Sequence, residues 1–401
     1  MGYPLSNIRI LELGQIIAGT YGGQLLSDMG AEVIKIESPE GDLGRNPSVA
    51  PLNGVSGLFL TFNRNKKSVV INLKTKEGLQ TFLELVKCSD VVVDNFRPGV
   101  MKRLGIDYAV LKDVNPRIIH CSITGFGSTG EYQNYPALDV IIQAISGHMA
   151  ITGEPGRPPV RLGVPLADLS GGLFSCQGIL AALFERERTG QGQHMDLAIF
   201  DAMLSLLTYM GTMWLSNGEL PKPPGSGHEY SVPWQAFRTK DSHVVVATRE
   251  EKVWLRFCDA ISEQGLAEDD RFSSNSSRVK NRDLLIPLLE AVMLKNTTDY
   301  WIKRFHERQV PAGPVNHLDG AFSEPPALEN KAVVEYFHPD AGKVKMPAYP
   351  VKMDSGEPYI STPAPRLGEH TDEVLNKILN YSFDKIKDLK NVGAVVDYKE
   401  Q

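Results

Sequence analysis

The sequence predicts an α/β protein organised on a parallel sheet, and three observations carry that reading. Over the first 125 residues, apolar runs fit for buried strands alternate with segments of helical periodicity. A stretch crowded with proline and glycine, NGELPKPPGSG at Asn217–Gly227, then interrupts the pattern and reads as a linker or boundary. Beyond it a shorter block again mixes strands with helices. Strand, helix and strand in succession argue for right-handed crossovers and hence a parallel sheet.

The elements follow in order. Ile8–Leu13 is an apolar-rich first strand, and Gly14–Gly30 carries Leu25, Leu26 and Met29 on one helical face before ending at a glycine. Val33–Glu37 is the next strand. Leu79, Phe82, Leu83 and Val86 repeat at helical spacing, and Val91–Val93 and Ile118–Thr124 are runs suited to buried parallel strands. Ala198–Leu215, the most apolar stretch, contains Asp201 and reads as a buried or interface helix rather than a membrane span. After the break come a strand at Val244–Ala247, helices at Trp254–Ile261 and Leu284–Met293, and another helix after Thr298. A strand at Pro311–Val315 leads out, and a Pro-rich stretch from Ser323 ends the block. Thr371 reads as the cap of a closing helix, with Asp372 and Glu373 in its first turn.

Composition narrows the function classes. The 401 residues leave room for two or three domains, at roughly 100–200 residues each. Charged residues at 22% and hydrophobic ones at 42% exclude a collagen-like, disordered or disulfide-stapled chain. With 42 basic against 48 acidic residues the net charge is −6, and no basic stripe invites nucleic acid. Cys88, Cys121, Cys176 and Cys258 have no CxxC spacing and suit buried thiols in a reducing compartment. The opening MGYPLSNIRILELG shows no secretory signal, and the closing DYKEQ is no sorting tag. The expectation is a soluble cytoplasmic protein without a membrane partner.

Candidate chemistry starts with a decoy. Gly125, Gly127 and Gly130 spell GxGxxG after a strand, but the next residues, EYQNYPALD, open no helix to hold a pyrophosphate. The histidines lack HxH or HxxxH spacing, so no metal site is expected, and GxSxG is absent. Asp168, in VPLADLSGGLFSCQG, stands where a helical pattern begins. By spacing alone it reads as an ordinary helix cap. A carboxylate there would also be held ionised by free N–H groups, beside Ser170, Gly171 and Gly172, and an ionised carboxylate facing open space is a nucleophile. Asp139 begins DVIIQAISG and reads as another cap.

Ordered landmarks then point to a family. They are DMGAEVIKIESPEGD (Asp28–Asp42), NRNKKSVVINLK (Asn63–Lys74), DNFRPGVMKRLG (Asp94–Gly105), NPRIIHCSITGFG (Asn115–Gly127), LDVIIQAISG (Leu138–Gly147), PLADLSGG (Pro165–Gly172), RERTGQGQ (Arg186–Gln193) and LGEHTDEVL (Leu367–Leu375). Over nearly its whole length the chain resembles the class III coenzyme A transferases of CaiB/BaiF type, which include formyl-CoA transferase and carnitine CoA-transferase. The resemblance implies an interlocked homodimer. Each chain would have a Rossmann-like large domain (1–205 and 330–401), a linker (206–225) and a smaller inserted α/β domain (226–329).

It also implies a role for each site residue. Asp168 matches the aspartate that forms covalent acyl anhydride and CoA thioester intermediates. Ile17 and Ala18 match the turn beside the thioester, and Asn72, Leu73 and Lys74 the loop near the adenine. Asn95, Phe96 and Arg97 match a further CoA-contacting turn, and Arg103 the arginine that meets a phosphate, a task suited to a permanently charged fork. Coenzyme A thioester is thus a co-substrate, and no permanently bound cofactor is implied. Asp139 and His228 are taken as supporting or substrate-binding residues; His228 is either a ligand for an acceptor carboxylate or an ordinary loop histidine.

Departures from the formyl-CoA members bear on substrate. Ile17 replaces a glutamine, Pro136 a lysine and Leu138 a tyrosine, and GSGHEYSVPWQAF stands in place of a tetraglycine loop. These changes favour an acid larger than oxalate, such as a dicarboxylate or a carnitine-like substrate, with a dicarboxylate and succinyl-CoA as the expected pair. Two rival readings stay open. A related α-methylacyl-CoA racemase would need a histidine where Leu138 stands, because α-carbon exchange requires an acid/base pair. A non-catalytic CoA-binding protein would have no use for Asp168.

Overall fold

The computed structural model describes residues 3–354 and 362–397, and its contacts divide the chain into two units. The first comprises Met1–Gly147, Leu162–Asn217 and Leu328–Gln401; the second comprises His148–Arg161 and Gly218–Ala327. Residues 148–161, expected in the large domain, therefore join the second unit.

The first unit is built on a parallel sheet. Its strands are β1 (Arg9–Glu12), β2 (Glu32–Glu37), β3 (Lys66–Ile71), β4 (Val91–Asp94), β5 (Ile119–Thr124) and β6 (His194–Ala198). They lie side by side as β3-β2-β1-β4-β5-β6, all parallel, and the short strand Val395–Val396 adds antiparallel to β3. This is the doubly wound order of dinucleotide-binding folds. The chain runs outward one way through β2 and β3, then returns to begin again at β4, leaving a switch point between β1 and β4.

Alternation along β1 explains the two cores. Leu11 packs with Ile34, Val69 and Phe82 on one face, under helix α2 (Lys76–Lys87) and helix Thr371–Leu379; α1 itself spans Ala18–Asp28. Ile10 packs with Val33, Val91 and Leu26 on the other face, under α1 and the long helix Leu166–Thr189. Each buried leucine or isoleucine contributes roughly 1.5–3 kcal/mol here. With α3 at Asp139–Ile145, that long helix is α4. Its length and composition would suffice to span a bilayer, yet it packs against α1 glycine to glycine. A Cβ on Gly22 would sit 2.2 Å from the Ser175 hydroxyl, and one on Gly172 would sit 2.7 Å from Tyr21.

Three local expectations change. Thr371 is not a side-chain cap: its hydroxyl accepts from Val70 N–H and donates to Val396 C=O, tying the helix to the sheet edge. The apolar stretch from Ala198 is two helices, α5 (Ile199–Leu206) and α6 (Thr208–Asn217), broken where Thr208 takes φ 52°. The expected linker 206–225 is accordingly helical as far as Asn217.

The second unit has an antiparallel sheet of β7 (Trp234–Arg238), β8 (His243–Ala247) and β9 (Ala312–Pro314), with β8 central. Helices α7 (Glu251–Ala260), α8 (Arg282–Met293) and α9 (Thr298–Glu307) enclose an aromatic core of Trp254, Phe257, Trp301 and Phe305. Arg278 is fully buried there, held through its Nε and Nη1. It lies over Trp254 and donates to Val232 C=O, Phe272 C=O and the Glu251 carboxylate.

Candidate active site

The carboxyl ends of β1 and β4 flank the switch point, where open α/β sheets bind their ligands. The turn after β1 is shaped by its own backbone. A Cβ on Gly14 would fall 2.0 Å from Gly19 C=O, so only glycine lets the chain double back into α1. Asn95, just past β4, pins the turn by accepting from Gln15 N–H (2.9 Å) and donating to Gln15 C=O (3.0 Å). Ile16 takes the left-handed φ of 64°, a conformation that L-residues other than glycine enter at a cost. α1 then starts without a side-chain cap, and among the described residues no acceptor meets the N–H groups of Ile17, Ala18 and Gly19.

Asp168 lies in the first turn of α4, and Asp139 is the first residue of α3. Asp139 does not cap its own helix. Its Oδ1 accepts from Ala167 N–H (2.9 Å) and Asp168 N–H (3.3 Å), thereby capping α4, while its other oxygen accepts from the buried amide of Gln143 (2.6 Å). Among the described residues none donates to the Asp168 carboxylate. The expectation that helix N–H groups hold Asp168 ionised is thus reversed: Asp139 has taken those donors. Burial first, and the Asp139 charge second, push Asp168 up to about 6. At pH 7 about nine in ten molecules still carry the anion, without hydrogen bonds to blunt it.

The glycines beside Asp168 also do something other than expected. Gly171 faces Ile199 and Ile123, and Gly172 faces Tyr21, so both serve helix packing rather than ligand approach. Space lies on the other side. A cleft of about 360 Å³ is lined by Asp168, Asp139, Leu138, Ile16, Ile17, Ala18, Asn95, Phe96, Arg97 and the Gly125–Phe126 turn. A second cleft of about 200 Å³ is lined by Asn72, Leu73, Lys74, Ile36, Glu37 and Leu104. Gln15 and Phe96 line both.

The structure thus brings Ile17, Ala18, Asn95, Phe96 and Arg97 onto one cleft with Asp168 and Asp139, and puts Asn72, Leu73 and Lys74 on its neighbour. Arg103 lines neither; it is exposed on the short helix Val100–Leu104. His228 belongs to the second unit, where its Nδ1 accepts from Tyr230 N–H (3.1 Å) and its ring lies 4.9 Å from that of Trp234. Gly127 bends the glycine turn after β5, its N–H bonded to the Thr124 hydroxyl, and no helix opens before Asp139.

Sequence reasoning passed over Gln143, which orients Asp139, and the cleft residues Gln133 and Tyr135. It also passed over an ionic core below the turn. The Glu12 carboxylate accepts from Lys66 at both oxygens (2.8 Å each) and from Lys35 at 3.5 Å, and Lys35 also pairs with Asp42 (2.7 Å), all with side chains at most 1% exposed. Burial pulls the Lys66 ammonium down to about 8 despite Glu12 beside it. The available signal was a charged residue inside each of the apolar strands ILE, VIKIE and KKSVVI.

Comparisons with known proteins identify the family. The model of CoA-transferase family III matches residues 5–371. Succinyl-CoA:glutarate CoA-transferase of Mus musculus is 36% identical over 397 residues, spanning 99% of this chain and 91% of that one. Acetyl-CoA:oxalate CoA-transferase of Acetobacter aceti is 38% identical over 370 residues, 91% and 93% of the respective chains. A crystal structure of a CaiB/BaiF family protein from Brucella suis superposes with TM-score 0.84 at 35% identity, covering 93% of this chain and 99% of that one. A family match across almost the whole chain, on a doubly wound sheet with a carboxylate at its switch point, makes this protein a member of CoA-transferase family III.

Proposed function

We propose that the protein transfers coenzyme A from an acyl-CoA, succinyl-CoA foremost, to a dicarboxylic acid through covalent intermediates on Asp168. The observation that carries the reading is the Asp168 carboxylate itself: without a donor among the described residues, raised to about 6, and open to the cleft at the switch point. A carboxylate oxygen attacks the thioester carbon, the C–S bond breaks, and CoA thiolate leaves an aspartyl–acyl anhydride. The thiolate attacks the aspartyl carbonyl and releases the donor acid, giving an aspartyl-CoA thioester. The acceptor carboxylate attacks that thioester, the C–S bond breaks to leave an aspartyl–acceptor anhydride, and the released thiolate attacks the acceptor carbonyl, giving the new acyl-CoA and restoring the Asp168 carboxylate. Each step exchanges groups of similar energy.

Each tetrahedral oxyanion needs donors, and one well-placed donor is worth about 3–4 kcal/mol. The free N–H groups of Ile17 and Ala18, on the wall facing Asp168, are proposed for that role. Asn72, Leu73 and Lys74 are assigned to the adenine end, Asn95, Phe96 and Arg97 to the CoA arm, and Arg103 to a phosphate. Leu138 beside Asp139 has no proton to exchange, which disfavours racemisation. The apolar wall of Ile17 favours an acid with a carbon chain, at about 0.8 kcal/mol per buried CH₂. The name of the mouse relative carries succinate and glutarate; that of the Acetobacter relative carries oxalate.

Assembly as an interlocked homodimer belongs to the same proposal. On α5 and α6, Leu204, Tyr209, Trp214 and Leu215 are 41%, 49%, 50% and 85% exposed, an apolar face that water leaves poorly satisfied. Free thiols, with Cys121, Cys176 and Cys258 buried, suit a cytoplasmic setting.

The test pairs succinyl-CoA with acceptors from oxalate to adipate and reads acyl-CoA products by mass spectrometry. Transfer favouring the longer dicarboxylates, lost in Asp168→Asn, is expected. Preference for oxalate would overturn the acceptor assignment, and a ranking unchanged in His228→Ala would return His228 to an ordinary loop residue.

A further inference from the structure

We propose that Asp42, fixed by Lys35, is a positioning residue for transfer: through the Ile16 amide it holds the β1–α1 turn in the left-handed conformation that sets Ile17 and Ala18 on the wall of the Asp168 cleft. The inference rests on the reading of Asp168 above, and goes beyond it to the ionic core underneath.

Every polar backbone group from Gly14 C=O to Ile16 C=O in the turn has its own clamp. Lys35 Nζ donates to Gly14 C=O at 2.7 Å, and Asn95 holds both polar groups of Gln15. Asp42 Oδ1 accepts from Ile16 N–H at 3.1 Å, and Ile16 C=O accepts from the Thr20 hydroxyl at 2.6 Å. Ile16 at φ 64° is a strained, β-branched residue, and such conformations persist only where the surroundings over-determine them. Asp42 itself is 4% exposed and must keep a cation partner to remain ionised. Lys35 supplies it at 2.7 Å, and contact of Lys35 with Glu12, in turn held by Lys66, ties the clamp to three adjacent strands. Asp42 also accepts from Gly44 N–H, an ordinary cap of the short helix Leu43–Arg45. A cap alone would give stability without touching the rate of transfer.

The test is a double-mutant cycle between Asp42 and Ile16, read in kcat and in KM for the acyl-CoA. Asp42→Ala should lower kcat by about 100-fold, the cost of a turn misplaced near the reacting atoms, and change KM by no more than about threefold. Glycine adopts positive φ without the clamp, so in the Ile16→Gly background the same change should cost about tenfold or less. Ile16→Pro leaves the ionic core closed, cannot take φ 64° and has no N–H to give. It should lose kcat as Asp42→Ala does; the incompatible φ and lost N–H cost some stability, but with the Lys35–Asp42 pair kept it should melt above Asp42→Ala, which keeps the idea testable if Asp42→Ala does not fold. Equal losses in both backgrounds, or an undiminished kcat in Ile16→Pro, would overturn the positioning role alone. Transfer that survives Asp168→Asn would overturn it together with the reading on which it rests.

Discussion

Replacing Asp168 by asparagine removes one charge and almost no volume, and the structure fixes what this does to stability. The unfolded chain releases this proton near 3.8 and the folded chain near 6, so the fold disfavours the anion. That difference is equivalent to about 3 kcal/mol, and part-exposure of the side chain discounts it to about 1–3 kcal/mol. Because the folded value is raised, the penalty is fully present above pH 6, shrinks as pH falls toward 3.8, and is absent below. Asp168→Asn should therefore stabilise the protein at pH 7.5 while abolishing transfer. Urea unfolding at pH 7.5 and again at pH 4.5, where the gain should have largely faded, measures both ends of this window. A variant no more stable than the parent at pH 7.5, or a gain that grows on acidification, would refute the argument that Asp168 is buried without donors beside Asp139.

In pH–rate profiles, kcat/KM should rise through about 6 as Asp168 ionises. Asp139→Asn keeps an acceptor for Ala167 and Asp168 N–H but removes the repulsion, so the inflection should move down while staying above 3.8, since burial is the larger cause. Arg103→Ala should raise KM for the acyl-CoA several-fold and spare kcat at saturation, as loss of an exposed phosphate contact does; an unchanged KM would make Arg103 a plain surface residue. Gly172→Ala drives a methyl to 2.7 Å from Tyr21 and should cost about 1–3 kcal/mol in thermal unfolding, with an unshifted midpoint showing that the α1–α4 approach is looser than described.

The strands were legible because each carries its apolar run within a few residues of sequence: Val91–Val93 needs nothing distant to read as a buried strand. α1 was placed by Leu25, Leu26 and Met29 and by Gly30 after it. What stayed hidden depends on partners far along the chain. Asp139 caps a helix that begins 27 residues later, and no local spacing reveals that its carboxylate takes the donors that Asp168 was expected to have. Thr371 looked like a cap because hydroxyls usually do that work at helix starts, whereas the sheet edge at Val70 offered a better bond. The break at Thr208 left no mark in the sequence, because the apolar stretch continues across it and threonine is not a residue that signals positive φ. The resemblance pointed to Asp168, Ile17 and Ala18; that Asp168 lies buried beside Asp139 and lines the same cleft as Ile17 and Ala18 came only from the geometry.

The covalent role of Asp168 is tested most directly by looking for its adduct. Wild-type protein incubated with succinyl-CoA and no acceptor, quenched in acid and digested, should give an Asp168 peptide heavier by coenzyme A bound as a thioester, and hydroxylamine should convert it to the hydroxamate. The same peptide from Asp168→Asn should carry nothing. Transfer proceeding in the parent with the Asp168 peptide unmodified, or with the adduct on another residue, would contradict the account.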